Sequence, residues 1–210
     1  MRKRNGTIVS IAIGWQRGRT GGFNRLDLGS TLRMTDRIRE FLRERRPESP
    51  CLVVDTEVVR DNYAAFARAM PASRVFSAVP ATPAPEILSL LASLGSCFDC
   101  ASVPEIDMAL AAGATPDRIS YGNTIKKERD IAAAFERGIR LFAVDAVEEV
   151  EKVARAAPGA RVFCRILCKG EGAEWPLSRK FGCAPERAIE VLEHAHRLGL
   201  DAYGVSFHVG

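Results

Sequence analysis

The side chains best placed for chemistry in this 210-residue chain are Asp99 with Ser102, Asn123, Asp145, Arg165 and His208. Each sits at the end of a short apolar run. An acid, a guanidinium and an imidazole gathered at one mouth would suit an anionic cofactor and an amino-acid substrate. Taken singly, several have plainer readings: Asp145 as a helix cap, Asn123 as a turn residue, His208 between Phe207 and Val209 as a core histidine. Arg165 is more telling, because a charge inside an apolar strand needs a partner. A further run, Arg74 to Val79, ends on Pro80, which carries no nucleophile, acid or base.

These positions are held by a regular alternation. Strands are predicted at Val75–Val79, Cys97–Cys100, Ile119–Tyr121, Leu141–Val144, Val162–Leu167 and Tyr203–Phe207. Helices are predicted between them at Glu86–Leu94, Val103–Ala112, Lys127–Arg137, Val147–Ala157 and Pro185–Leu198. Before the first unit come a helix Thr35–Arg46, with Thr35 or Asp36 as N-cap, a strand Cys51–Asp55 and a helix Glu57–Met70. Continuously apolar strands, each followed by a helix, predict a parallel sheet with helices outside. The fold class expected is α/β, an incomplete (β/α)8 TIM-type barrel with about six of its eight strands. In such a barrel the chemistry sits at the C-terminal strand ends.

Composition agrees with a globular α/β chain: 47% hydrophobic and 27% charged residues, with a net charge of +4. The charge is unevenly placed. Residues 1–33 hold seven Lys and Arg against the single Asp27, so 34–210 is mildly acidic and the basic balance does not argue for nucleic acid. Residues 1–33 are therefore expected to be a poorly ordered basic extension, and 34–210 the folded part. No apolar run reaches the roughly 18 residues of a membrane span. Six cysteines read as reduced thiols in a cytoplasmic protein. Cys97 and Cys100 have C-x-x-C spacing, but on a strand they point to opposite faces, so both are read as packing residues and no metal site is expected.

Five stretches then narrow the reading: Gly95-Ser-Cys-Phe-Asp-Cys-Ala-Ser102, Ala114-Thr-Pro-Asp-Arg-Ile-Ser-Tyr-Gly-Asn123, Arg140-Leu-Phe-Ala-Val-Asp145, Ala173-Glu-Trp-Pro-Leu-Ser-Arg-Lys-Phe-Gly182 and Gly204-Val-Ser-Phe-His-Val-Gly210. In order and spacing they resemble the N-terminal part of the pyridoxal-phosphate-dependent ornithine/lysine decarboxylase family, with its alanine-racemase-like barrel. Bacterial ornithine-type enzymes look nearest. The resemblance implies that His208 stacks on the cofactor ring, that Arg165 and Gly210 lie beside the cofactor, and that Asp99 stands next to the Schiff base. It also implies that Lys180, in the loop Gly170 to Gly182, covers the active site. By the same resemblance the substrate is a diamino acid and the assembly a homodimer, with no nucleic-acid or membrane partner.

Two departures qualify that picture. Where the family's first barrel strand ends in a motif of the form Tyr-Ala-Val-Lys-Ala-Asn, this chain has Ser77-Ala-Val-Pro-Ala-Thr82, so Pro80 takes the place of the Schiff-base lysine. The family's remaining strands and C-terminal β-domain also have no counterpart up to Gly210. The expectation is an inactive copy with at most weak, non-covalent cofactor binding. The alternative is a non-catalytic homologue that binds a partner decarboxylase subunit.

Overall fold

The computed structural model describes residues 8–11, 34–168 and 180–208. Helix α1 (Asp36–Arg45) begins at Thr35, whose hydroxyl accepts from the Ile38 N–H at 3.2 Å and donates to Asp55 at 2.8 Å. Asp55 in turn caps α2 (Thr56–Ala69), accepting from the Glu57 N–H at 3.1 Å. One short polar chain thus fixes two helix starts, which otherwise leave N–H groups unpaired.

The six strands read from the sequence are all present. They are β2 (Arg74–Ala78), β3 (Cys97–Cys100), β4 (Ile119–Tyr121), β5 (Leu141–Val144), β6 (Arg161–Arg165) and β7 (Asp201–Ser206). The intervening helices are α3 (Pro85–Ser93), α4 (Val103–Ala111), α5 (Glu128–Glu136), α6 (Val147–Ala156) and, between β6 and β7, α7 (Pro185–Arg197). A further strand, β1 (Ile8–Ile11), comes from the N-terminal segment. It pairs in parallel with β2, Ile8 opposite Arg74, and also touches β7. All seven strands are parallel and stand in chain order, so the sheet is a partial TIM-type barrel. Among the described residues no helix is long and apolar enough to cross a membrane.

Alternation along the strands separates two faces. Phe98, Ile119, Phe142 and Val162 pack outward under the helices, against Ile106 and Val150. The opposite face starts with a small cluster of Phe76, Cys97 and Leu141, with Phe163 against it. Continuing that parity toward the C-terminal ends gives Ala78, Asp99, Asp145 and Arg165, so the inner cluster is the floor beneath the polar mouth. Cys97 and Cys100 fall into different clusters, as their strand spacing predicts.

Beyond shifts of one or two residues at strand ends, as in β7, three differences from expectation matter. Cys51–Asp55 is not a strand, and Leu52 is 78% exposed. The edges of β2 are taken by β1 and β3, which leaves this apolar run no edge there to join. At the other end of β2, Val79 leaves the strand for a 3₁₀ turn, Val79–Ala81, closed by the Thr82 N–H on the Val79 carbonyl at 3.2 Å. Pro80 has no N–H to extend the ladder. Strand β6 stops at Arg165; the Ile166 N–H still donates to the Ser206 carbonyl at 2.8 Å, and on its other side Ile166 forms an isolated bridge to Cys183.

Candidate functional site

Strand register sets the mouth. Ala78 is the partner of Asp99, which is the partner of Ser120; Arg165 is the partner of Ser206. Pro80 therefore stands two residues beyond the Asp99 level on β2, and His208 two residues beyond the Arg165 level on β7. The topology brings these four residues to the same end of one sheet.

Asp99 is the most constrained. Its carboxylate accepts from the Ser120 hydroxyl at 2.5 Å. Burial pushes its carboxyl up to about 6; the Ser120 bond opposes this, Glu105 adds to it and Arg165 lowers it. Burial also lowers the pKa of Arg165, with Asp145 and then Asp99 supporting the charge. Half-buried His208 is held below the usual imidazole range by burial first and the Arg165 charge second. Asp99, Asp145, Arg165 and His208 thus form one electrostatic group.

Asp145 does not cap α6, whose N-cap is Ala146 and which has no side-chain cap. Its carboxylate instead accepts the Gly182 N–H at 2.9 Å, across 37 residues. Gly182 has φ 109°, and a Cβ there would come within 3.1 Å of the Ile166 backbone, so this return of the chain requires glycine. Next to it, the Phe181 ring lies 5.7 Å from the Arg165 guanidinium and 5.3 Å from the Lys180 amine. Lys180 is exposed. Gly210 and residues 169–179 of the predicted loop lie outside the described residues.

Sequence reasoning missed three contributors. Ser120 was legible as a hydroxyl in a three-residue buried strand. Gly122 lies so close to Asp99 that a Cβ would come within 2.6 Å of its Cγ. Lys126 is buried, its amine donating to the Asn123 and Thr124 carbonyls at 3.0 and 3.4 Å and to that of Ala143, and paired with Glu149 at 3.4 Å. Glu149 also pairs with Lys152. Burial pushes the Lys126 amine down to about 8, with Glu149 opposing.

Residues 56–210 match the family model described as pyridoxal-dependent decarboxylase, pyridoxal binding domain. The chain belongs to this decarboxylase family. The lysine/ornithine decarboxylase of Selenomonas ruminantium is 39% identical over 85% of this chain and 45% of its own length. A solved structure of SrLDC in complex with PLP and cadaverine matches with a TM-score of 0.75 at 38% identity, over 85% of this chain and 44% of that one. Antizyme inhibitor 2 of Xenopus laevis is 37% identical over 73% of this chain and 34% of its own length. The chain thus spans less than half the length of each of these relatives.

The cofactor of this family is pyridoxal phosphate, and the site fits it incompletely. Arg165, His208 and Asp99 offer an ion, a ring and an acid at one mouth. Covalent attachment needs a primary amine, and Pro80 has none. The Lys126 amine cannot serve in its described position, because it is enclosed by three carbonyls and Glu149.

Proposed function

We propose that this chain is a non-catalytic member of the ornithine/lysine decarboxylase group, descended from a cytoplasmic enzyme of polyamine-precursor synthesis. The observation that carries this reading is Pro80 at the β2 tip, where the family resemblance puts the Schiff-base lysine. Pyridoxal phosphate, when bound, supplies the electron sink for loss of carbon dioxide. Without an amine at position 80, this chain's own residues can only hold such a molecule. His208 would lie against the ring, and Arg165 and Gly210 would border it. Asp99 and Lys180 are the remnants of the catalytic set, and a diamino acid is the ancestral substrate.

A second reading is favoured by one finding, that a relative at 37% identity is named for inhibiting antizyme rather than for decarboxylation. On that reading the chain acts by binding a partner decarboxylase subunit. Purification from its native cells should then bring down such a subunit, and its absence would end this reading.

The main proposal is tested by supplying the purified chain with pyridoxal phosphate and, in turn, ornithine and lysine. No release of carbon dioxide above a protein-free control is expected. Steady release that scales with protein would overturn it.

A further inference from the structure

We propose that Cys164 and Cys183 form a thiol–disulfide pair that covalently ties the returning segment at Phe181 and Gly182 to strand β6. Their Sγ atoms are 3.5 Å apart although the residues are nineteen positions apart in sequence. The backbone already holds them in register. The Cys183 N–H donates to the Arg165 carbonyl at 3.0 Å, and the Leu167 N–H donates to the Cys183 carbonyl at 2.8 Å. The bridge sets Cys183 opposite Ile166, so its side chain shares a face with that of Cys164, two residues earlier. Closing from 3.5 Å to a bonded S–S length of about 2.0 Å draws the two side chains together across the Cys183–Ile166 bridge, with a small shift of the returning segment.

Cys51, Cys97 and Cys100 offer no such geometry. Cys97 and Cys100 belong to different clusters, and Cys51 is exposed. Cys168 is half-buried, three positions from Arg165 on the same segment, and is the natural competitor.

The chemistry follows the difference in exposure. Cys183 is the more accessible sulfur and Cys164 is buried, where desolvation pushes its thiol up. With a hydroperoxide as oxidant, the Cys183 thiol gives its proton to solvent and attacks the peroxide. The S–O bond forms as the O–O bond breaks, and hydroxide leaves to become water. The Cys164 sulfur then attacks the Cys183 sulfur: S–S forms, S–O breaks, and the departing hydroxide takes up a proton as a second water. Two thiols and one hydrogen peroxide become one disulfide and two waters.

Oxidation would fix two contacts of the mouth, since Gly182 donates to Asp145 and Phe181 lies by Arg165. The test treats the whole chain with hydrogen peroxide, alkylates remaining thiols under denaturing, non-reducing conditions, and maps peptides by mass spectrometry. A Cys164–Cys183 link within one molecule is expected, reversed by dithiothreitol, together with slower tryptic cleavage after Lys180. In Cys164→Ser, Cys183 should instead be trapped as its sulfenic acid by dimedone. A link from Cys183 to Cys168 or Cys51 would overturn the proposal. So would recovery of both thiols unlinked in wild-type protein whose Cys51 has been oxidised.

Discussion

Gly122 sits so close to Asp99 that a Cβ at this position would come within 2.6 Å of the Asp99 Cγ and still nearer its oxygens. The glycine leaves the carboxylate its place against Ser120, which donates to it at 2.5 Å. Gly122→Ala is expected to destabilise the chain by about 1–3 kcal/mol, the usual cost of overpacking. Asp99→Ala should recover most of that loss when combined with it, since the clash then has no partner. Denaturant unfolding of the two single variants and the double variant measures the coupling. Additive losses would show that the glycine serves something else.

Ionisation of Asp99 costs the folded state stability near neutral pH. Burial raises its carboxyl from 3.8 to about 6, so the folded chain binds its proton at a higher pH than the unfolded chain does. The group's destabilising contribution is full above about 6 and fades as pH falls toward 3.8. Asp99→Asn is therefore expected to stabilise the chain at pH 7.5 by up to about 3 kcal/mol, with the gain shrinking by pH 4.5. A gain independent of pH, or a loss at pH 7.5, would contradict this.

Lys126 and Glu149 are both buried, and Lys152 approaches the same carboxylate. Removing the first amine strands three carbonyl contacts and half of an ion pair. Lys126→Ala should cost about 3 kcal/mol, at the lower end for a broken buried pair because Lys152 still reaches Glu149. A change within about 0.5 kcal/mol in chemical unfolding would mark this network as idle.

His208 should titrate below the free-imidazole value of about 6.5. A histidine whose folded pKa is lowered costs stability on acidification, so its contribution improves as pH rises through the window up to 6.5. Arg165→Met removes the second cause of the lowering and should move the midpoint upward. Imidazole proton shifts in nuclear magnetic resonance read both states. An unchanged midpoint in the variant would separate the two residues.

Much of this fold is legible because buried parallel strands advertise themselves. Phe98, Phe142 and Val162 lie in short, largely apolar runs with helices on both sides, and the strands form there. Cys51–Asp55 shows the limit, since an apolar run becomes a strand only where an edge is free, and β1 and β3 occupy those of β2. The pairing of Ile8–Ile11 with β2 is likewise a matter of available edges rather than of local pattern. At the mouth, strand parity exposes Asp99, Asp145 and Arg165, but not what they touch. The Asp145 bond to Gly182 spans 37 residues, which no local motif reports. Lys126 looks like any basic residue ahead of a helix until the fold buries it.

Among the described residues no usable amine stands at the mouth. The most direct test of this is to incubate the purified chain with pyridoxal phosphate, reduce with borohydride, and locate and count pyridoxyl groups by peptide mapping. The prediction is no lysine modified in stoichiometric amount, with Lys126 untouched in folded protein. One pyridoxyl group per chain on a single lysine would contradict it, because another residue would then have taken over the role of the missing lysine at position 80.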